Sequence, residues 1–260
     1  MKRPAYFSPS VHTAARTLEL LSRYRTRSCT LSEIAAELDV SKTTCLRVIK
    51  TLVQDGLLAY DEAGKRYSLG YFAVVLGARA EEGLDSLNRV RPLMRESAER
   101  TGLTAAFVQR VSTHRLMYVA KEQSPAAAHV NVSVGNRFPI TEVSYGKWVL
   151  AFADEEERAQ LLADGLPQVT PDTVTDLGAY RAEIDRLGPG DIVVSRNEYV
   201  PGVHAVSCPV VAARGGLDGV LVVLGLSDAL DQTRARETAE VMRDIAARCH
   251  TEDSGRAAAG

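Results

Sequence analysis

The sequence predicts an α+β protein in two parts. A small helical front is closed by a two-stranded hairpin, and in a larger back helices flank an antiparallel sheet. Three observations lead there. Short helical patterns fill residues 11–56, and a strand–turn–strand pattern follows at once. From Leu103 the apolar period changes from that of helices to that of strands. Charge divides in the same sense: residues 1–70 carry 11 Lys+Arg against 7 Asp+Glu, whereas the remainder carries 20 against 26. With 260 residues, 45% of them hydrophobic and 25% charged, the chain has the make-up of a soluble globular protein of one large or two ordinary domains.

Taken in order, residues 1–10 read as a disordered arm in which Lys2 and Arg3 are the only charges. Val11 to Tyr24 reads as a helix with Ala15, Leu18 and Leu21 inward, followed by the basic run Arg23, Arg25 and Arg27. Thr30-Leu31-Ser32-Glu33 is a capping box: the Thr30 hydroxyl serves the third amide of the helix and the Glu33 carboxylate reaches back. Ile34, Ala35 and Leu38 form the inner face of that helix. Ser41 then caps a second helix, with Val40 and Cys45 at the positions of a hydrophobic staple and Gly56 as a left-handed end. Its apolar residues are Leu46, Ile49, Leu52 and Val53; Thr43, Arg47, Lys50 and Gln54 recur at helical steps on another face. After Gly56, the strands around Leu57–Tyr60 and Arg66–Leu69 enclose a turn at which Gly64 is free to take a positive φ, with Lys65 and Arg66 at the tip.

Two short helices, a tight turn, a polar-faced second helix and a basic hairpin make a winged helix-turn-helix. Alone, the second helix is as compatible with an ordinary solvated face as with a recognition helix. The order of the pieces favours a fit to double-stranded operator DNA. The candidate contacts are Ser41, Lys42, Thr43, Thr44, Arg47 and Lys50, with Lys65 and Arg66 on the wing. Arg47 is the expected base reader, because a guanidinium bonds guanine through two donors, and Lys50 suits a phosphate.

Residues 71–86 read as an Ala-rich apolar linker helix that packs on something, a second copy of itself being one option. Asp85 to Arg100 continues as a helix with Leu87, Val90, Leu93, Met94 and Ala98 inward. Ala105–Val111 and Leu116–Glu122 form a hairpin, and the alternation Val130, Val132, Val134 predicts a half-solvated strand over His129–Val134. Helices are expected over 142–153, 154–164 and 176–187, the last capped by Thr175. Strands return at 191–196, 205–212 and 219–226, and a closing helix covers 231–249 before a tail from 251 that reads as disordered. Residues 87–250 therefore form the second domain.

What is missing also narrows the function. The chain has no eighteen-residue apolar run and no secretory leader, which points to a cytoplasmic protein without a membrane span. The cysteines at 29, 45, 208 and 249 have no metal-ligand spacing and read as buried small residues. His114, His129 and His204 are widely spaced, so no metal or other cofactor is expected. There is no phosphate loop, nucleophile elbow or zinc-protease motif, so the chain does not read as an enzyme. A metabolite-processing enzyme, and a winged-helix interaction module with a vestigial pocket, are the alternatives.

The chain resembles the IclR family of bacterial transcription regulators over about residues 11–250. The likeness rests on Leu31-Ser32-Glu33-Ile34-Ala35, Lys42-Thr43-Thr44, Leu46-Arg47, Gly56-Leu57 and Tyr67-Ser68-Leu69-Gly70 in front. Behind, it rests on Gly135-Asn136-Arg137-Phe138-Pro139, Gly146-Lys147, Glu198-Tyr199-Val200-Pro201-Gly202-Val203 and Cys208-Pro209-Val210. The resemblance implies a GAF-like effector domain, a homodimer or dimer of dimers, and regulation, by repression rather than activation, under a small organic or aromatic acid. It also implies effector contacts at Ser144, Tyr145, Ser195, Glu198, Val203, Ala205 and Ser227. Two departures bear on that pocket. Tyr145 stands in a run where the family has small residues, which would shrink the pocket, and Gly225-Leu226-Ser227 replaces a Ser-x-Ser.

Overall fold

Threonine, rather than alanine, supplies the inner face of the first helix. The computed structural model describes residues 6–124, 126–212 and 215–251, so the Lys2–Arg3 arm and the tail from 252 lie outside the described residues. The chain divides between Leu84 and Asp85 into two units. In the first, α1 (Pro9–Ser22) starts two residues earlier than its apolar pattern suggests, because Pro9 suits a first turn where no amide partner is needed. Its buried residues are Thr13, Thr17, Leu20 and Leu21, while Ala15 faces solvent. Both threonines can be buried because their hydroxyls donate to carbonyls one turn back, Thr13 to Pro9 at 2.9 Å and Thr17 to Thr13 at 2.8 Å.

Next come β1 (Cys29–Thr30), α2 (Leu31–Leu38), α3 (Lys42–Gln54), β2 (Leu58–Asp61), β3 (Arg66–Leu69) and α4 (Tyr71–Glu82). The capping box forms as read: Glu33 N donates to the Thr30 hydroxyl and Thr30 N to the Glu33 carboxylate at 2.7 Å. Three residues join α2 to α3, and Asp39 turns the chain with φ 54°. Ile34, Ala35, Leu38, Cys45, Ile49, Leu52 and Leu58 close the core against Leu20 and Leu21. The hairpin is a three-stranded sheet in the order β1-β3-β2, since Cys29–Thr30 adds a short strand beside β3. At the turn, Lys65 takes the left-handed backbone (φ 50°) that the sequence assigns to Gly64. Gly64 serves closeness instead: a Cβ there would lie 2.6 Å from the Asp61 carboxylate that accepts from the Ala63 and Gly64 amides.

The second unit opens with α5 (Asp85–Thr101), whose inward residues are those the period marks. There follow β4 (Thr104–Ser112), β5 (Arg115–Glu122), β6 (Arg137–Pro139), α6 (Lys147–Phe152), α7 (Glu155–Leu161) and α8 (Leu177–Ile184). β7 (Val193–Arg196), β8 (Val203–Val211), β9 (Leu217–Leu226) and α9 (Gln232–Thr251) complete the unit. The strands form one antiparallel sheet in the order β6-β5-β4-β9-β8-β7. Alternation decides its two faces. Ala105, Phe107, Leu221 and Val223 pack under α5 and α9, whereas Ala106, Val108, Val222 and Leu224 face α6, α8 and the loops.

Three local readings change. The predicted helix over 142–153 is two 3-10 turns, Ile140–Glu142 and Ser144–Gly146, followed by the six-residue α6. Residues 129–134 are not a strand: the segment crosses beside β5, with Thr104 Oγ1 donating to the Val130 carbonyl and Lys121 Nζ to Asn131 Oδ1. Side-chain bonds of that kind replace a ladder, and the Val130/Val132 alternation reports burial only. Finally, α8 is capped by Asp176, whose Oδ1 accepts from Ala179 N at 2.7 Å, and not by Thr175. Asp176→Ala is expected to cost about 1 kcal/mol, and Thr175→Ala nearly nothing, in matched denaturant titrations. The reverse ranking would return the cap to Thr175.

Candidate DNA interface and effector cavity

The α3 helix has one buried side and one open side. Cys45, Ile49 and Leu52 are buried, whereas Ser41, Lys42, Thr43, Thr44, Arg47 and Lys50 are all exposed. That side presents three cations, and none of them is drawn into an ion pair within the described residues. Ser41 is partly committed to structure: its oxygen accepts from Thr44 N at 3.1 Å and its hydroxyl donates to Thr44 Oγ1 at 2.9 Å. Lys65 is exposed at the wing turn. Arg66, the first residue of β3, reaches back from the turn with its side chain 40% exposed. Its Nε donates to Ser28 Oγ at 3.1 Å, and its Nη2 donates to the Ser28 carbonyl at 2.6 Å and to Glu33 at 3.2 Å. Arg66 thus ties the wing to the start of α2.

In the second unit a cavity of about 270 Å³ opens on the sheet face opposite α5 and α9. Five of the seven effector candidates, Ser144, Tyr145, Ser195, Val203 and Ala205, lie in its wall. Tyr118, Tyr199 and Leu224 also line it, as does the segment around Asn131 and Val132. The sequence pattern missed these, because they reach the cavity by way of strand pairing and a crossing loop. Two candidates lie elsewhere. Ser227 follows the last residue of β9 and its amide donates to the Gly202 carbonyl, so Leu224 takes the wall position that the alternation of β9 provides. Glu198 is not in the wall: Lys147 Nζ lies 3.9 Å from its carboxylate, which also accepts from Ser195 and from the Arg196 amide.

Tyr145 does not close the cavity; it builds one side of it. Its ring stands edge-on to Phe138, with centroids 5.6 Å apart, and its hydroxyl lies 2.6 Å from that of Tyr118. Burial pushes the Tyr118 phenol up to about 12 and the Tyr145 phenol well above its ordinary value, so both keep their protons. The Gly146-Lys147 pair has two separate reasons. A Cβ at Gly146 would fall 1.8 Å from the Ile140 carbonyl oxygen, so only glycine lets the two 3-10 turns stack. Lys147, only 2% exposed, donates to Glu183 at 2.8 Å and stands over the Tyr180 ring. Burial raises Glu198 above the usual glutamate range, against the opposing pull of Lys147.

Known sequence families match both units. The IclR helix-turn-helix domain matches residues 10–62, and the bacterial transcriptional regulator IclR C-terminal domain matches residues 79–250. The chain belongs to the IclR family. As an IclR-family protein it is a DNA-binding transcriptional regulator. The transcriptional repressor AllR of Escherichia coli K12 is 23% identical over 251 residues, spanning 94% of this chain and 92% of that protein. The crystal structure of an IclR regulator from Alicyclobacillus acidocaldarius is 35% identical and superposes with a TM-score of 0.86, covering 94% of this chain and 98% of that one. An IclR homologue from Microbacterium hydrocarbonoxydans, crystallised with 4-hydroxybenzoate, has the same fold at 21% identity, with a TM-score of 0.81 over 94% and 98% of the two chains. No helix among the described residues is long and apolar enough to cross a membrane.

Proposed function

We propose that this regulator acts in the cytoplasm as a repressor that binds operator DNA through residues 11–70 and senses a small molecule in residues 87–250. The observation that carries the DNA reading is the open side of α3, where Lys42, Thr43, Arg47 and Lys50 are exposed above a fully closed core. Lys65 extends the contact from the wing; Arg66 serves it by fixing the wing in place. A dimer, or a pair of dimers, presents two such helices. The linker over residues 71–86 supports that reading, because Tyr71, Phe72, Val74, Val75 and Leu76 of α4 are all exposed apolar side chains. The same helix is the element through which effector binding would change the spacing of the recognition helices. The cavity beside Ser144, Tyr145 and Ser195 supports the sensing role, since a concave, largely apolar site with a few polar groups is what a small ligand needs.

Arg47→Ala tests the DNA reading. It is expected to lose about 1–3 kcal/mol of affinity for the DNA upstream of its own gene, mostly at one base position. Lys50→Ala is expected to weaken binding across all sequences and to reduce the slope of log affinity against log salt by about 1. Unchanged affinity of both variants in a mobility-shift titration would remove α3 from the interface.

A further inference from the structure

The cavity is unusual in what its wall lacks. Among the described residues that line it there is no Lys, Arg or His and no Asp or Glu. The charges around it stand behind neutral side chains: Glu198 accepts a hydrogen bond from Ser195 with Lys147 Nζ 3.9 Å away, and Lys121 Nζ is taken up by Asn131 Oδ1. An anion entering here would give up its water with no cation in the wall to receive it, and such a transfer is unfavourable. The polar groups are instead neutral hydroxyls and amides: the tyrosine pair, Ser144, Ser195, Ser133, Asn131 and Asn136.

The tyrosine pair also leaves something over. Two phenols that both keep their protons hold two O–H donors, and one is used in the 2.6 Å bond between them. Among the described residues neither hydroxyl has a second partner, so one proton remains in the cavity wall without an acceptor. Phe138 packs against both rings and fixes them in place. At about 270 Å³ the space falls below the range of drug-sized sites and suits a molecule of about one ring.

We propose that the effector of this chain is an uncharged single-ring molecule whose hydroxyl or carbonyl oxygen accepts from the Tyr118–Tyr145 hydroxyl pair. The proposal rests on the effector reading above, and it departs from the acid that the family resemblance implies. Tyr145, which supplies one hydroxyl of the pair and one side of the cavity, is then the residue that fixes specificity.

The test uses two probes of one shape and different charge, 4-hydroxybenzamide and 4-hydroxybenzoate, in thermal-shift and calorimetric titrations of the full chain at neutral pH. The amide is expected to bind at least ten-fold more tightly. Tyr145→Phe and Tyr118→Phe combined remove both donors, and the double variant is expected to weaken the amide about ten-fold or more, whereas either single variant still leaves one O–H to donate. Equal or tighter binding of the carboxylate overturns the proposal, as does full affinity in the double phenylalanine variant. No binding of either probe at millimolar concentration overturns the ring class. The effector reading fails on a different result: no metabolite of any charge changes operator affinity in the mobility-shift assay.

Discussion

Lys147→Met is expected to cost about 3 kcal/mol at neutral pH, the lower part of the range for removing one partner of a buried ion pair. The lower part applies because one partner, Glu183, is partly exposed and water compensates it once the ammonium is gone. Glu198 is the costly member: its side chain is 14% exposed and would keep a charge facing no cation. The pH dependence follows from the direction of its shift. Burial already raises the folded-state pKa of Glu198 above the unfolded value, and Lys147 opposes that rise. Without Lys147 the folded carboxyl rises further. A raised carboxyl contributes stability that is full below the unfolded pKa and lost as pH climbs through the folded one. The deficit of the variant should therefore shrink as pH falls from neutral toward the ordinary glutamate range. Adding Glu198→Gln should recover most of the loss at neutral pH, since a neutral pair needs no counter-charge. A deficit that is flat with pH and unrescued by Glu198→Gln would mean that Lys147 matters through its packing on Tyr180 instead.

What the sequence made legible is what neighbouring residues decide. The Thr30–Glu33 box, the Ser41 cap, the positive φ of Gly56 and the inward stripe of α5 each depend on residues a turn apart, and each forms. Pairings over longer distances were not legible. Arg66 finds Ser28 across 38 positions, and nothing local separates a wing-tip arginine from one that folds back. Tyr118 and Tyr145 meet across 27 positions, so the residue that completes the cavity wall is silent until β5 is placed in the sheet. Burial of a hydroxyl is similarly hidden: Thr13 and Thr17 count as polar in any pattern, yet inside a helix they bond their own backbone and pack inward where Ala15 does not. The alternation of Val130 and Val132 was real, but burial with period two does not require a ladder. Of the effector candidates, those on the inward face of a strand or in the turn before α6 reached the cavity. Ser227, one residue past β9, did not.

Trp148→Ala is expected to be the most damaging single truncation in the effector domain, at about 3–5 kcal/mol. Trp148 is fully buried in the cluster that holds Val143 and Tyr145, and its indole Nε1 donates to Ser207 Oγ on β8 at 3.0 Å. Two effects are mixed in that loss, and a second variant separates them. Ser207→Ala keeps the ring and orphans the indole N–H, which should cost about 1–3 kcal/mol. The remainder belongs to the cavity left by the ring, which the sheet cannot close because the facing strand residues are held in a ladder on both sides. Trp148 is the only tryptophan of the chain, so its emission reports the packing of this face directly in every variant that retains it. Ser207→Ala should shift that emission without unfolding the domain. The functional consequence is ordered in the same way: Tyr145 loses support first, so the response of operator binding to an effector should weaken before operator binding itself. A loss below about 1 kcal/mol for Trp148→Ala, measured by circular dichroism in denaturant, would show that this core refills, and would separate Tyr145 from the packing beneath it.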